Sequence, residues 1–274
     1  MKMGNLSRLA LLCALMAFMT ALLAGCGGGE KAGGKKFLNI ATGGTAGTYY
    51  PLGGAMAEIL NKSIPGMNAS AQSTGASVAN INMLKDGSVD LAIVQNDITY
   101  YAANGTEMFK DKKVSNLQGI AALYPETCQF LTLEKSGIRS VADFKGKRVA
   151  VGAAGSGTEA NARQIMEAYG ITYNDIEVQY LSFGEAASAL KDGNVDVAFV
   201  TAGDPTAAIQ DIASQHAIRL LPVDPDKADA LIAKYPFYTK TNIPAGTYAG
   251  FSEEVPAVSV MAMLVATDKL DDAL

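Results

Sequence analysis

The 274-residue sequence predicts an α/β protein of two lobes, each a doubly wound, mainly parallel sheet. Two observations carry this reading. An eleven-residue segment occurs twice, and each copy ends a β-loop-α-β-α-β succession of apolar runs.

The repeat comprises Leu84 to Val94 (LKDGSVDLAIV) and Leu190 to Val200 (LKDGNVDVAFV), with eight of eleven positions identical. It reads as a helix end, a glycine turn and a strand. Gly87 and Gly193 stand where a helix terminates in a left-handed residue. Asp90 and Asp196 open short apolar runs of the kind buried on both faces of a parallel sheet.

Upstream of the first copy, Phe37 to Ala41 reads as a strand and Thr42 to Gly47 as a glycine-rich loop. Thr48 to Asn61 reads as a helix, Asn68 to Gln72 as a strand and Gly75 to Lys85 as a helix. Upstream of the second, Arg148 to Val151 is the strand and Gly152 to Gly157 the loop. Thr158 to Tyr169, Ile176 to Leu181 and Phe183 to Lys191 then follow as helix, strand and helix. Leu117 to Leu133 is expected to cross between the lobes. The apolar run from Val258 to Ala266 is expected to return as a strand, which makes the first lobe discontinuous. The expected boundaries are 37–126 for the first lobe, 127–244 for the second, and 245–274 for a return segment that is C-terminally incomplete.

The N-terminus reads as an export signal. Lys2 and Arg8 precede Leu9 to Leu23, an uncharged run broken only by Thr20. About 15 residues suit a signal peptide and fall short of the roughly 20 that span a bilayer. Leu23-Ala24-Gly25-Cys26 has the form of a bacterial lipobox. Residues 1–25 are therefore expected to be cleaved, with Cys26 lipidated and 26–36 a Gly/Lys tether. The expected location is the membrane surface facing the periplasm or cell exterior.

Composition excludes other classes. Hydrophobic residues make up 49% and charged residues 18%, enough for a buried core, and the net charge of −5 offers no footprint for nucleic acid. Loss of Lys2 and Arg8 takes the mature charge to −5 − 2 = −7. With Cys13 removed and Cys26 acylated, Cys128 stands alone and no intramolecular disulfide can form. His216 is the single histidine, so a zinc site of familiar type is not expected. There is no Gly-x-Ser-x-Gly elbow, and Glu159 after Gly157-Thr158 breaks any likeness to a P-loop. Neither catalysis, cofactor nor metal is expected.

In open parallel sheets, ligands sit beyond the carboxyl ends of the strands. The first loop there, Gly43-Gly44-Thr45-Ala46-Gly47-Thr48-Tyr49-Tyr50-Pro51, combines close-approach glycines with a helix start capped by Thr48 and two tyrosines able to wall a small molecule. Its counterpart is Gly155-Ser156-Gly157-Thr158. Gln95-Asn96 leaves the first repeated strand, and Thr201-Ala202-Gly203-Asp204-Pro205 leaves the second. Such polar residues either bind a ligand or cap the following helix. Thr74-Gly75-Ala76-Ser77 is a further helix start. The candidate ligand-binding residues are Gly44, Thr45, Thr48, Tyr49, Thr74, Ser77, Gln95, Asn96, Ser156, Gly157, Thr158, Thr201 and Pro205.

At these motifs the chain resembles the TAXI family of TRAP-transporter solute receptors. The lipobox, Gly44 to Gly53, Val94-Gln95-Asn96, Gly155 to Thr158 and Ala207-Ala208-Ile209-Gln210-Asp211 carry the resemblance, from about residue 36 to the end. It implies a type II periplasmic-binding-protein fold and delivery of a small carboxylate, such as glutamate or 2-oxoglutarate, to a TRAP-type membrane permease. An ABC-type receptor or a sensory surface lipoprotein of the same fold is the alternative. The family usually continues for several tens of residues beyond the point where this sequence stops.

Overall fold

Ten strands form one continuous mixed sheet whose central members pass through both lobes. The computed structural model describes residues 36–270. The expected signal peptide, the lipidation site Cys26, most of the tether and residues 271–274 lie outside the described residues.

The first lobe is built from β1 (Lys36–Ala41), α1 (Tyr49–Ser63), β2 (Met67–Gln72), α2 (Ser77–Asp86), β3 (Leu91–Gln95) and α3 (Asn96–Asn104). Strand β4 (Leu117–Leu133) leads to the second lobe. There follow β5 (Arg148–Ala150), α4 (Gly157–Ala168), β6 (Glu177–Gln179), α5 (Phe183–Lys191) and β7 (Val197–Ala202). Helix α6 (Ala207–Gln215), β8 (Ile218–Leu221), α7 (Pro225–Lys234), β9 (Thr239–Ile243) and β10 (Val255–Thr267) complete the described chain. The strand order is β2-β1-β3-β10-β4-β7-β5-β6, with β8 also on β4 and β9 also on β10. Pairs β1–β3, β5–β6 and β5–β7 are parallel, whereas β4 and β10 run antiparallel to their neighbours.

The sequence repeat has a physical basis. After α2, Gly87 takes φ +74°, its N–H bonds Leu84 O, and Ser88 N–H bonds Met83 O. After α5, Gly193 takes φ +74°, its N–H bonds Leu190 O, and Asn194 N–H bonds Ala189 O. Both helices thus end in the same left-handed cap. The aspartates then fasten neighbouring parallel strands. Asp90 Oδ2 accepts from Asn39 N at 2.7 Å, while Asp90 N–H donates to Asn39 O. Asp196 Oδ2 accepts from Arg148 N at 2.9 Å, its N–H donates to Arg148 O, and its carboxylate pairs with the guanidinium. Each repeat therefore sets the register of the strand that carries its lobe's glycine loop.

Burial follows the expected pattern. Strands β3 and β7 are buried at every position. A contiguous apolar core joins Ile81, Leu84, Val94 and Ile98 of the first lobe to Phe130, Phe144, Ile165 and Phe199 beyond the crossing. Cys128 is buried within it, as a small apolar residue. Tyr100 and Tyr101 lie inside α3, and both rings meet Phe237.

Strands β4 and β10 connect the lobes. Residues 117–127 of β4 pair with β10, while its residues 127–133 pair with β7 and β8. Strand β10 pairs with β9 over 255–259 and with β3 over 262–265. Its pairing with β4 shifts register between Ala262 and Met263, and again between Leu264 and Val265. Such irregularities bend a strand and increase its twist.

Candidate functional site

Four helix starts, two from each lobe, surround one cavity at the carboxyl ends of β1, β3, β5 and β7. They belong to α1 at Thr48-Tyr49, α2 at Ala76-Ser77, α4 at Ser156-Gly157 and α5 at Ser182-Phe183. Unpaired first-turn amides and the aligned peptide dipoles favour anionic or acceptor groups at such positions. The centre of a water molecule can range over about 60 Å³ of the interior. That suits several waters or one small organic molecule.

The lobes meet around this space. Gly155 O accepts from Ala79 N at 3.1 Å, and Ala46 O accepts from Ala208 N at 3.3 Å. Gly47 packs against the Phe183 ring, and Gly75 against Ala154 O. The closest approach is at Gly157. A Cβ there would stand 1.8 Å from Gln95 Oε1, so glycine is what allows the two elements to meet. Ala76, at the start of α2, has φ +69° and ψ −149°, a strained conformation for a residue with a side chain.

Ten of the thirteen candidate residues line the cavity: Gly44, Thr48, Tyr49, Thr74, Ser77, Gln95, Ser156, Gly157, Thr158 and Thr201. Three do not. Thr45 is exposed at the tip of the turn closed by Gly47 N–H to Gly44 O, which directs it away from the interior. Asn96 follows Gln95 and turns elsewhere: its Oδ1 accepts from Met261 N at 3.0 Å, tying α3 to β10. Pro205 lies in the β7–α6 loop, where the next residue, Thr206, donates its N–H to the Tyr248 hydroxyl. Tyr50 is also exposed, so of the two tyrosines only Tyr49 forms a wall.

Several lining residues have structural partners. Ser156 Oγ accepts from Glu159 N at 3.1 Å and is the cap of α4. Replacing Ser156 by alanine is expected to lower stability by about 1 kcal/mol in urea unfolding; an unchanged midpoint would remove the capping role. Thr48 occupies the cap position of α1 in helical conformation and its hydroxyl caps nothing, contrary to expectation. Thr74 Oγ1 lies 2.9 Å from Thr42 O and 2.5 Å from Asn80 Oδ1, and Ser77 Oγ accepts from Gln95 N.

Sequence reasoning missed Glu126, Ser182 and Phe183. Glu126, the single acid of β4, is 2% exposed and accepts the Tyr49 hydroxyl at 2.7 Å. Burial pushes the Glu126 carboxyl and the Tyr49 phenol well above their ordinary ranges. Among the described residues, no lysine, arginine or histidine lines the cavity. Ser182 and Glu185 form a capping box, a Ser-x-x-Glu signal visible in the sequence.

A buried polar chain leads away from the cavity. Gln95 Nε2 donates to Asn161 Oδ1 at 3.1 Å, and Asn161 Nδ2 donates to Asp97 Oδ2 and to the Tyr238 hydroxyl. The Tyr238 hydroxyl in turn donates to Gln164 Oε1, and Gln164 Nε2 donates to the Tyr101 hydroxyl. The chain links α3 of the first lobe to α4 of the second. Gln95 Oε1 is buried and has no partner among the described residues.

Comparison with known proteins adds family and fold. The model of the NMT1-like family matches residues 40–274. Among solved structures, the alkanesulfonate-binding protein SsuA from Xanthomonas axonopodis pv. citri, bound to MOPS, is similar with TM-score 0.55 and 20% identity, over 88% of this chain and 69% of that one. A Bordetella bronchiseptica RB50 protein gives TM-score 0.57 and 19% identity, over 87% of this chain and 66% of that one. A putative L-cystine ABC transporter protein from Listeria monocytogenes gives 0.50 and 16%, over 85% and 84%. The chain spans about two thirds of the length of the first two. At these identities the likeness concerns the fold, that of type II periplasmic binding proteins.

Proposed function

Starting from a chain that belongs to the NMT1-like family and has a two-lobed binding-protein fold, we propose that it is an extracytoplasmic solute receptor. It captures a small organic solute between its lobes, performs no chemistry on it and passes it to a membrane permease. The observation that carries this reading is the enclosure of one cavity by helix starts from both lobes. A carboxylate placed there meets free amides and the positive ends of dipoles. This supports a small carboxylate such as glutamate or 2-oxoglutarate as the solute class.

The mechanism is closure. The solute settles on one lobe, and the second then adds its contacts and excludes water. It favours the closed form only by its differential affinity for it. The strands β4 and β10, with the register shifts of β10, are the segments that bend. Lipidation at Cys26 holds the receptor at the membrane, where a TRAP-type permease reads the closed outline. An ABC permease is the second reading, supported by the ABC transporter named among the similar structures. Gene neighbours separate the two: a multi-span permease without an ATPase supports TRAP-type transport, and an adjoining ATPase supports the ABC reading.

The direct test is a thermal-shift screen over amino acids and dicarboxylates. A ligand at 100 times its Kd raises stability by about 2.7 kcal/mol, which moves the melting point by several degrees. Turnover of a bound compound by the purified protein would overturn the receptor reading.

A further inference from the structure

Among the described residues, the cavity is lined by a buried carboxyl and by no basic side chain to answer it. Glu126 is 2% exposed, and among the described residues its carboxylate is bonded only by the Tyr49 hydroxyl, on Oε2. The ionisable groups that face it are Tyr49, Tyr124 and Asp97, with Cys128 nearby, and none brings a positive charge. Without a counter-ion such a buried carboxyl is held in its neutral form, and a cation placed beside it would restore the carboxylate.

We infer that the cleft selects a solute carrying a protonated amine, with Glu126 as its counter-ion. This rests on the solute-receptor reading and narrows it. Carboxylate groups are taken by the helix starts, and the amine separates acceptable solutes from oxo and hydroxy acids of the same skeleton. An oxo acid would place its carbonyl oxygen against Glu126 and bring it no positive charge.

The test compares common amino acids with the 2-oxo acid of matching skeleton, on the full chain, by thermal shift and then calorimetry. At least one amino acid is expected to bind, and its oxo partner to bind roughly 100-fold more weakly. Glu126→Gln is expected to weaken that amino acid by roughly 100-fold while the ligand-free melting point is retained. An oxo acid that binds as tightly as its partner overturns the amine requirement and leaves the receptor reading standing. So does an unchanged affinity in Glu126→Gln. If no compound binds, both readings fall. Should Glu126→Gln not fold, the paired-ligand comparison on the unaltered chain decides alone.

Discussion

A Gly157→Ala substitution is expected to lower solute affinity by at least roughly 100-fold while each lobe stays folded. The added Cβ would stand 1.8 Å from Gln95 Oε1, 2.6 Å from Gln95 Cδ and 2.9 Å from Ile98 Cγ1. Gln95 cannot step aside cheaply, because its Nε2 is held by Asn161 and the side chain is buried. Ile98 is wholly buried too. Gly157 and Gln95 belong to different lobes, so the collision falls on the contact between them, including the edge of the apolar core that Ile98 and Ile165 share. Calorimetry with the tightest compound from the screen measures the effect. A Gln95→Ala/Gly157→Ala double variant should recover part of the loss, since it removes the atoms that collide. Wild-type affinity in Gly157→Ala would show that binding does not require these two elements to meet.

Asp97→Asn is expected to gain in stability relative to the wild type as the pH rises from 4 to 7. Burial pushes the Asp97 carboxyl up to about 6, from an ordinary value of 3.8. The folded state then holds the proton more tightly than the unfolded state. This contribution to stability is therefore complete below pH 4, falls as the pH rises to about 6, and is lost above it. A shift of this size corresponds to about 3 kcal/mol. Ile98 N and Asn161 Nδ2 now bond different oxygens of Asp97, so the single carbonyl of asparagine keeps one of these bonds and loses the other, at a cost of about 1 kcal/mol at every pH. Urea midpoints of both proteins at pH 4, 5, 6 and 7 check this. A difference independent of pH would refute it. Glu126, also displaced upward, leaves a residual pH dependence in both.

The repeat was readable because its chemistry is local: a left-handed glycine, an aspartate one strand-width from its partner, and an apolar run. The helix starts were readable for the same reason, as at Gly155 to Thr158. Gln95 ends β3 and Asn96 opens α3, and only the pairing of Asn96 with Met261 of the distant β10 turns it from the cavity. Thr45 and Pro205 share the right loops with true lining residues but sit where turns direct them outward. Glu126 was missed because its place depends on β4 lying between β10 and β7, a pairing of distant segments that no window of sequence displays.

The two long strands have a consequence for how the protein comes into being. Neither lobe possesses a complete sheet until β10, nearly the last described element, has been laid between β3 and β4. A chain emerging N-terminus first would hold its first lobe unfinished until residues 255–267 had followed.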